Sequence, residues 1–352
     1  MALQAREQPQ TARAGLRLSV VCPFYNEENI IENAALAMHA SLTRSFGDDF
    51  ELILVDDGSK DRSRERLLAM MERTPGTRIR VLGYARNQGR GRALKTGIDA
   101  ARGALIVTTE ADGSWGEDIV QRLVAHLDEH PEADFVIASP HAPGGGLVNV
   151  TPRRVFLSRF GNWLIRLFFE SEVTMNTGMT RGYRRGVIQP LVSLENGKEF
   201  HLEVLLKLMA LQFRGAEIPA ILTWQAHKLA REPAAKRTSS TNIRRTILTH
   251  LRFMVIAQPV RHFALLAAVT LACGTGFLAF AVRSLLAGDP SAFYALIGLN
   301  LVLFALMLTG FSVMLHQIRD TMIGAWMRGY PKPHPPSARP GQQLFPAEDR
   351  AD

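Results

Sequence analysis

Two long apolar runs near the C-terminal end constrain this 352-residue chain more than any other feature. The runs, Phe263–Val282 and Phe293–Leu315, contain no acidic or basic residue. Each reaches the roughly 20 residues that a helix needs to cross a bilayer. Gly288-Asp289-Pro290 lies between them and is typical of a tight turn. The pattern predicts a transmembrane hairpin over residues 262–317, with two buried helices of a soluble core as the alternative.

Basic residues flank the predicted hairpin on both outer sides. They are Arg244, Arg245, Arg252 and Arg261 before it and Arg319 and Arg328 after it, whereas the connecting segment carries only Arg283. The positive-inside rule then places both flanks on the cytoplasmic side. The sequence therefore predicts a two-pass membrane protein whose N-terminal domain is cytoplasmic.

The part of the chain before the hairpin alternates short apolar runs with helical patterns. Strands are predicted at Leu18–Cys22, Leu52–Val55, Ile79–Leu82, Leu105–Thr109 and Phe135–Ala138. Helices are predicted at Ile30–Arg44, Arg62–Glu72, Gly91–Ala101 and Asp118–His130. This alternation indicates one α/β domain over 17–240, with a Rossmann-like, doubly wound and mostly parallel sheet. The polar residues 1–16 and the Pro-rich residues 330–352 are predicted to be disordered.

Two further segments have the pattern of amphipathic helices. In 153–169, aromatic and aliphatic residues recur at helical spacing and arginines occupy other positions. That composition favours a helix lying in a membrane interface, with an ordinary surface helix as the alternative. A similar pattern in 241–261 predicts an amphipathic juxtamembrane helix that leads into the first span.

Composition narrows the classes of partner. A net charge of +8 favours anionic partners. Aromatic residues make up only 8% and the basic residues are dispersed, so no nucleic-acid partner is expected. Cys22 and Cys273 are far apart in apolar segments and are expected to be packed thiols. The histidines lack metal-ligand spacing, which argues against zinc, and the polar N-terminus does not resemble a signal peptide.

Paired acids follow two of the predicted strands. Asp56-Asp57-Gly58-Ser59 ends one run, and Glu110-Ala111-Asp112-Gly113 ends another. Ligands of open α/β sheets bind at the carboxyl ends of the strands, where the two acidic ends can converge. Carboxylates there can hold Mg²⁺ or Mn²⁺, which stabilises charge on a phosphate leaving group. For the first motif alone, the alternative is an Asx-type turn capped by Ser59 or Asp61.

A glycine-rich turn lies between the third predicted strand and its helix. Its sequence is Asn87-Gln88-Gly89-Arg90-Gly91. Backbone amides at such a helix start can bind an anion, and Arg90, Arg92 or Lys95 could reach a phosphate. The alternative is a turn without a ligand.

These motifs, with Pro23-Phe24-Tyr25-Asn26-Glu27-Glu28 and Asn176-Thr177-Gly178-Met179, resemble those of the inverting GT-A glycosyltransferases of family 2. The closer resemblance is to the dolichol-phosphate mannosyltransferase and polyprenyl-phosphate glycosyltransferase branch, over roughly residues 17–240. It implies a GT-A catalytic domain that moves a hexose from a nucleotide sugar, with inversion, to a polyprenyl or dolichyl phosphate. GDP-mannose is the donor that the resemblance favours, with a UDP-hexose as the alternative.

The resemblance also implies roles for individual residues. Asp112 would hold the metal, and Asp112 and Glu110 together would form the catalytic pair. Glu110 stands where the family motif has aspartate. The donor site would comprise Pro23, Tyr25, Glu27, Asp56, Asp57, Asn87, Gly89, Arg90 and Lys95. Asn176, Thr177 and Gly178 would form the acceptor floor, while Glu199 and Glu203 would orient sugar hydroxyls or cations. The alternative for these two glutamates is a solvated helix face or a structural ion pair. A lipid phosphate is already anionic and needs cations rather than a base; the candidates are Arg181, Arg184, Arg231, Lys236 and Arg237.

The sequence departs from the family pattern at some positions. Ser139-Pro140-His141 stands where Ser-Arg-Tyr is usual and lacks the expected cation. No Gln-x-x-Arg-Trp motif is present, which argues against a processive polysaccharide synthase. Transfer to another membrane lipid or glycan, and a non-catalytic nucleotide-sugar-binding scaffold, stay as alternatives. Self-association to a homo-oligomer is also open.

Overall fold

The computed structural model describes residues 15–152, 155–156, 158–159, 162, 173–224, 259–327 and 330, with the backbone alone for 259–262. Arg231, Lys236 and Arg237 lie outside these residues, as do 1–14, 331–352 and most of 241–261. In the predicted interfacial segment 153–169, only five side chains are described, and those positions are helical.

One seven-stranded sheet forms the centre of the N-terminal domain. Its strands are β1 (Leu18–Phe24), β2 (Phe50–Asp56), β3 (Ile79–Gly83), β4 (Leu105–Thr108), β5 (Phe135–Ser139), β7 (Arg181–Arg184) and β8 (Gly215–Pro219). The order is β3-β2-β1-β4-β7-β5-β8, and β7 is antiparallel to both of its neighbours. A small parallel pair, β6 (Gly146–Val148) and β9 (Ile221–Thr223), lies beside it. The predicted α/β fold is confirmed, and the five predicted strands agree with the observed ones to within two residues.

Helices cover both faces of the sheet because the central strands are apolar on both sides. They are α1 (Ile31–Phe46), α2 (Ser63–Arg73), α3 (Arg90–Ala100), α4 (Ile119–Glu129), α5 (Arg185–Ile188) and α6 (Phe200–Ala210). One core cluster joins the sheet to α1, α2 and α4, and a second joins it to α3, α5 and α6. All seven residues of β2 are buried, as expected for a strand packed on both faces.

Two long helices, α7 (Pro259–Leu286) and α8 (Ala292–Met327), follow the domain as an antiparallel hairpin. Both are long and apolar enough to cross a membrane, with mean hydropathies of 2.1 and 2.2. Only 11% and 17% of their most apolar windows are buried, so they differ from core helices of a soluble protein. Gly274 and Gly298 let the two backbones approach closely, since a Cβ at Gly298 would lie 2.9 Å from the Gly274 carbonyl oxygen.

The second helix is longer than predicted. Its 36 residues extend about 54 Å at 1.5 Å per residue, against a hydrocarbon core of about 30 Å. It continues to Met327, beyond the predicted end at Leu315, and its last turn packs against the N-terminal domain. Packing on that domain stabilises the turns beyond the membrane-length run, which the length of the apolar run alone could not predict.

Candidate active site

The loops that follow β1 and β2 interlock at the carboxyl edge of the sheet. The backbone N–H of Asn26 donates to Ser59 Oγ at 3.0 Å, and Asn26 Oδ1 accepts from the Lys60 N–H at 2.8 Å. The Glu27 N–H donates to Ser63 Oγ at 2.7 Å. Asn26 adopts a positive φ of 55°, which asparagine tolerates better than most residues. The structure therefore brings the predicted donor residues Pro23, Tyr25 and Glu27 alongside Asp56 and Asp57, with Tyr25 36% exposed.

The carboxylates of Asp56 and Asp57 both accept hydrogen bonds from turns at this edge. Asp56 Oδ1 accepts from the Ser59 N–H at 2.8 Å, which is the Asx-type turn weighed as an alternative. Asp57 accepts from Asn87 Nδ2, the Gln88 N–H and the Gly89 N–H, each at 2.9 Å. Burial raises the pKa of the Asp57 carboxyl, while these hydrogen bonds oppose the rise. Asp57 thus ties the end of β2 to the glycine-rich turn.

The start of α3 does not offer the free amides that the sequence predicted. The Gln88 and Gly89 N–H groups bind Asp57, and those of Gly91 and Arg92 donate to the Asn196 carbonyl at 2.8 and 3.2 Å. The expectation of an anion cradle on this backbone is therefore corrected. Asn196 lies on a loop about a hundred residues away in sequence, so no local pattern could reveal it.

Lys95 and Arg90 have different acidic partners. Lys95 Nζ pairs with Asp99 Oδ1 at 2.7 Å along α3, so its charge is engaged on the helix surface. Arg90, in the first turn, lies with Nη1 3.8 Å from Glu110 Oε1, and its buried Nε has no hydrogen-bond partner. Among the predicted phosphate contacts, the structure brings Arg90 to the acidic loop and leaves Lys95 paired with Asp99.

Glu110 and Asp112 lie on the loop that follows β4, next to the end of β1. Asp112 Oδ1 accepts from the Ser114 N–H at 3.0 Å. Burial, together with the charges of Asp112 and Glu110, raises the pKa of the Cys22 thiol. Cys22 therefore stays protonated, and the two carboxylates create a negative field at this point of the sheet edge.

A cavity of about 390 Å³ adjoins this acidic loop. It is lined by residues 109–113 and by side chains of α1 and α4, among them Asn33, Met38 and Gln121. The loop thus has space on the side facing α1.

The described residues contain no group of three or more His, Cys, Asp or Glu side chains that could hold a metal ion. Asp112 and Glu110 supply hard oxygen ligands on one loop. Mg²⁺ commonly takes one or two carboxylates and completes its coordination with phosphate oxygens and water. The donor set at this edge fits an ion of that kind bound together with a nucleotide.

The predicted acceptor segment lies beside the same edge. Asn176 is buried, and its N–H donates to Asn162 Oδ1 at 2.9 Å, whereas Thr177 is exposed. Glu217 of β8 accepts from the Thr174 and Met175 N–H groups at 2.7 and 2.8 Å. Thr108 Oγ1 donates to the Met179 carbonyl at 2.7 Å, which places the segment against the end of β4. Glu217 was not predicted, because it stands in a strand without a motif.

Arg181 and Arg184 lie at opposite edges of the sheet. Because β7 is antiparallel, Arg181 pairs with Thr108 and Arg184 with Leu105. Arg184 donates to the carbonyls of Ala133 and Leu127 at 2.9 and 2.8 Å, so its predicted acceptor role is corrected.

Arg181 is at the correct edge but fully buried. Its guanidinium donates to the carbonyls of His201 and Asn176 at 2.9 and 2.7 Å, so in this conformation it supports the acceptor segment from below. Burial, with the charges of Arg90 and Arg181, lowers the pKa of His201 well below 6.5. The imidazole beneath the site is therefore neutral at physiological pH.

Glu203 forms the structural ion pair that was weighed as an alternative. Glu203 Oε1 lies 2.6 Å from Lys207 Nζ, with both side chains almost fully buried. Its oxygens also accept from Ser193 Oγ and from the Leu194 and Glu195 N–H groups at 2.7, 3.0 and 2.8 Å. Burial alone would raise the pKa of Glu203, but these bonds and Lys207 hold it below its ordinary value. Glu199 precedes α6 at its N-cap position.

Comparison with known proteins agrees with this architecture. The model of the family "Glycosyl transferase family 2" matches residues 19–191. Polyprenol monophosphomannose synthase of Mycolicibacterium smegmatis is 30% identical over 68% of this chain and 88% of its own length. An undecaprenyl-phosphate 4-deoxy-4-formamido-L-arabinose transferase of Pseudomonas paraeruginosa is 31% identical, but the match covers only 52% of this chain and 51% of that protein.

Among solved structures, glucosyl-3-phosphoglycerate synthase of M. tuberculosis has the same fold. It superposes with a TM-score of 0.50 at 20% identity, covering 68% of this chain and 81% of that one. The match to the family model agrees with the fold and with the acidic loops at the sheet edge. The similarity to the polyprenol monophosphomannose synthase extends over most of that protein's length. The chain therefore belongs to glycosyltransferase family 2.

Proposed function

We propose that this family 2 glycosyltransferase moves a hexose from a nucleotide sugar to a polyprenyl or dolichyl phosphate at the cytoplasmic membrane face, with mannose as the favoured sugar. The observation that carries the proposal is the combination of Glu110 and Asp112 at the sheet edge with two candidate membrane spans in the same chain. The name of the mycobacterial relative, a polyprenol monophosphomannose synthase, supports the same acceptor class and sugar.

On the donor side, Asp112 is the proposed ligand of Mg²⁺ or Mn²⁺. Such an ion stabilises the charge of the departing nucleoside diphosphate. Arg90, 3.8 Å from Glu110, contributes a fixed positive charge at the same place, and the loop of Pro23, Tyr25 and Glu27 is proposed to line the nucleotide. Asp57 acts by holding the glycine-rich turn through three hydrogen bonds, so its contribution is positional. A crystal structure of the M. tuberculosis synthase with Mn²⁺ and UDP-glucose supports this type of donor complex in the fold.

On the acceptor side, a phosphate oxygen is anionic at neutral pH and needs no general base. Catalysis then depends on positioning and charge screening. Asn176, Thr177 and Gly178 lie beside the end of β4 and are proposed to form the floor on which the phosphate approaches. With Arg184 at the far edge and Arg181 buried, Arg231, Lys236 and Arg237 are the proposed phosphate-binding cations. They precede α7 and would act close to the headgroup layer.

The test is a transfer assay with purified protein in lipid nanodiscs, polyprenyl phosphate and Mg²⁺ or Mn²⁺. GDP-mannose, UDP-glucose and UDP-N-acetylglucosamine are supplied separately, each with a labelled sugar. We expect a lipid-linked mannose of inverted anomeric configuration, lost with a chelator and reduced about 1000-fold or more in Asp112→Asn. Asp128→Asn is the matched control, because that carboxylate lies in the last turn of α4 and forms an exposed ion pair with Arg17, which precedes β1.

Other results would redirect the proposal. If product forms only from UDP-glucose, the favoured sugar is glucose instead of mannose. Nucleotide-sugar binding without product from any donor would favour the non-catalytic scaffold. Near-normal turnover by Asp112→Asn would refute the metal assignment.

The cytoplasmic position of the catalytic domain has its own test, which is thiol labelling. Ala287→Cys in the loop between α7 and α8 should react with an impermeant thiol reagent on intact cells, whereas Glu129→Cys should react only after permeabilisation.

A further inference from the structure

The end of α8 is packed into the N-terminal domain. Ile323, Trp326, Met327 and Tyr330, here called the α8 foot, lie against the core cluster that includes α3, α5 and α6. Tyr330 Oη donates to the Val187 carbonyl at 2.8 Å, and its ring lies 5.2 Å from that of Phe213. The foot is therefore a partly buried extension of the membrane helix that packs against the domain core.

Trp326 of the foot contacts a buried charge. Lys207 Nζ lies 5.0 Å from the centre of the Trp326 ring, in a cation–π arrangement, and its side chain is 4% exposed. The same ammonium donates to the Val192 carbonyl at 2.7 Å and to Glu203 Oε1 at 2.6 Å. The cation–π contact and the two hydrogen bonds together offset the cost of removing this cation from water.

Glu203 links Lys207 to the loop 192–197 through hydrogen bonds. It accepts from Ser193, Leu194 and Glu195, and the next residue, Asn196, accepts from the Gly91 and Arg92 N–H groups. The fit is tight, because a Cβ at Gly91 would lie 2.8 Å from the carbonyl oxygens of Glu195 and Gly197. A displacement of this loop must therefore move the turn that carries Arg90 opposite Glu110.

We propose that the α8 foot positions the donor site, acting through Lys207 and Glu203 on the loop 192–197 and through that loop on the Gly89–Gly91 turn. The membrane hairpin then does more than anchor the enzyme, since its last turn completes the support of the nucleotide-sugar site. The inference rests on the proposed function only where it names the donor. The chain of contacts itself does not depend on it.

The first experiment measures the contacts without any activity. Amide hydrogen exchange of the protein in nanodiscs is followed in peptides covering 88–93 and 192–197. Trp326→Ala should speed exchange in both peptides about tenfold, because the support of Lys207 is lost. Phe304→Ala, on the lipid-exposed part of the same helix, is the control and should leave both unchanged. Trp326→Phe keeps an aromatic ring and should restore protection.

The second experiment separates positioning from general destabilisation. Trp326→Ala should raise KM for the nucleotide sugar about tenfold and leave KM for polyprenyl phosphate within about twofold. If Trp326→Ala does not fold, Tyr330→Phe, which removes one hydrogen bond to Val187, should give smaller changes in the same direction.

The outcomes distinguish the two proposals. Unchanged exchange in peptides 88–93 and 192–197 overturns the positioning role, and so does an equal rise of both KM values. Absence of transfer by the wild type with every donor overturns the proposed function, while the exchange data still decide the inference.

Discussion

Replacement of Gly89 by alanine tests the central feature of the site, which is the close packing of the glycine-rich turn against the loop 192–197. Gly89 has φ 101° and ψ 147°, a region that L-residues rarely adopt. A Cβ there would lie 3.1 Å from the Asn196 carbonyl carbon and closer still to its oxygen. Gly76 is a matched control, since it has φ +91° but no atom within 4 Å of the place that an alanine methyl would take.

The comparison separates backbone strain from collision. A strained non-glycine residue costs about 1–3 kcal/mol, and both variants bear this cost. Overpacking adds about 1–3 kcal/mol, and only Gly89→Ala bears it. At about 2–4 °C per kcal/mol for a domain of this size, Gly89→Ala should unfold at least about 2 °C below Gly76→Ala. It should also weaken donor binding, because the Gly89 N–H is one of the bonds to Asp57.

Thermal unfolding in nanodiscs, followed by tryptophan fluorescence, measures the first difference, and titration with the nucleotide sugar measures the second. Gly76→Ala should bind the donor as the wild type does, since Gly76 lies before β3 and away from the site edge. If the two variants unfold at the same temperature and bind the donor equally, the packing of Asn196 on the turn does not support the site.

Three further predictions concern the acidic loop, the hairpin and a buried histidine. Glu110→Gln removes a charge already facing Arg90, so initial transfer rates should fall about 10–100-fold, less than in Asp112→Asn; equal losses would make Glu110 a metal ligand of the same importance. Gly298→Ala places a methyl 2.8 Å from Leu278 Cγ and should lower the unfolding temperature, whereas Gly310→Ala, with open space around it, should not; equal values would contradict the close helix contact. The pKa of His201 is held well below 6.5 by burial and by two arginines, so the folded state does not bind a proton that the unfolded chain accepts below about pH 6.5. Stability should therefore fall as pH drops from about 7 to 5, and a His201→Gln variant with the same slope would disprove the contribution of this group.

Much of the fold could be predicted from local patterns. The apolar runs that became β1 to β5 and the helices between them have periodicities that depend only on neighbouring residues. The paired acids after β2 and β4 could be recognised for the same reason, because a strand end is a local event and parallel strands bring their carboxyl ends to one edge. The length of the two apolar runs likewise predicted the hairpin.

The partners of the site residues could not be predicted in this way. Arg181 and Arg184 lie at the two ends of the short strand β7, and its antiparallel direction puts Arg181 rather than Arg184 at the carboxyl edge of the sheet. The Asn196 carbonyl occupies the amides that the glycine-rich turn was expected to offer. Hydrogen-bond capacity is used up by whichever group the fold brings near, and sequence distance carries no information about that.

The sequence by itself determined the α/β alternation, the acidic strand ends and the membrane-length helices, since each follows from hydrophobic periodicity or run length along the chain. Only the tertiary structure decided which charges face the site and which are engaged elsewhere. It also joined Trp326 of the second long helix to Lys207 and Glu203 beneath the glycine-rich turn. The physical reason is that an unpaired buried polar group is costly, so most buried polar groups have partners, and these partners come from three-dimensional packing of segments far apart in the chain.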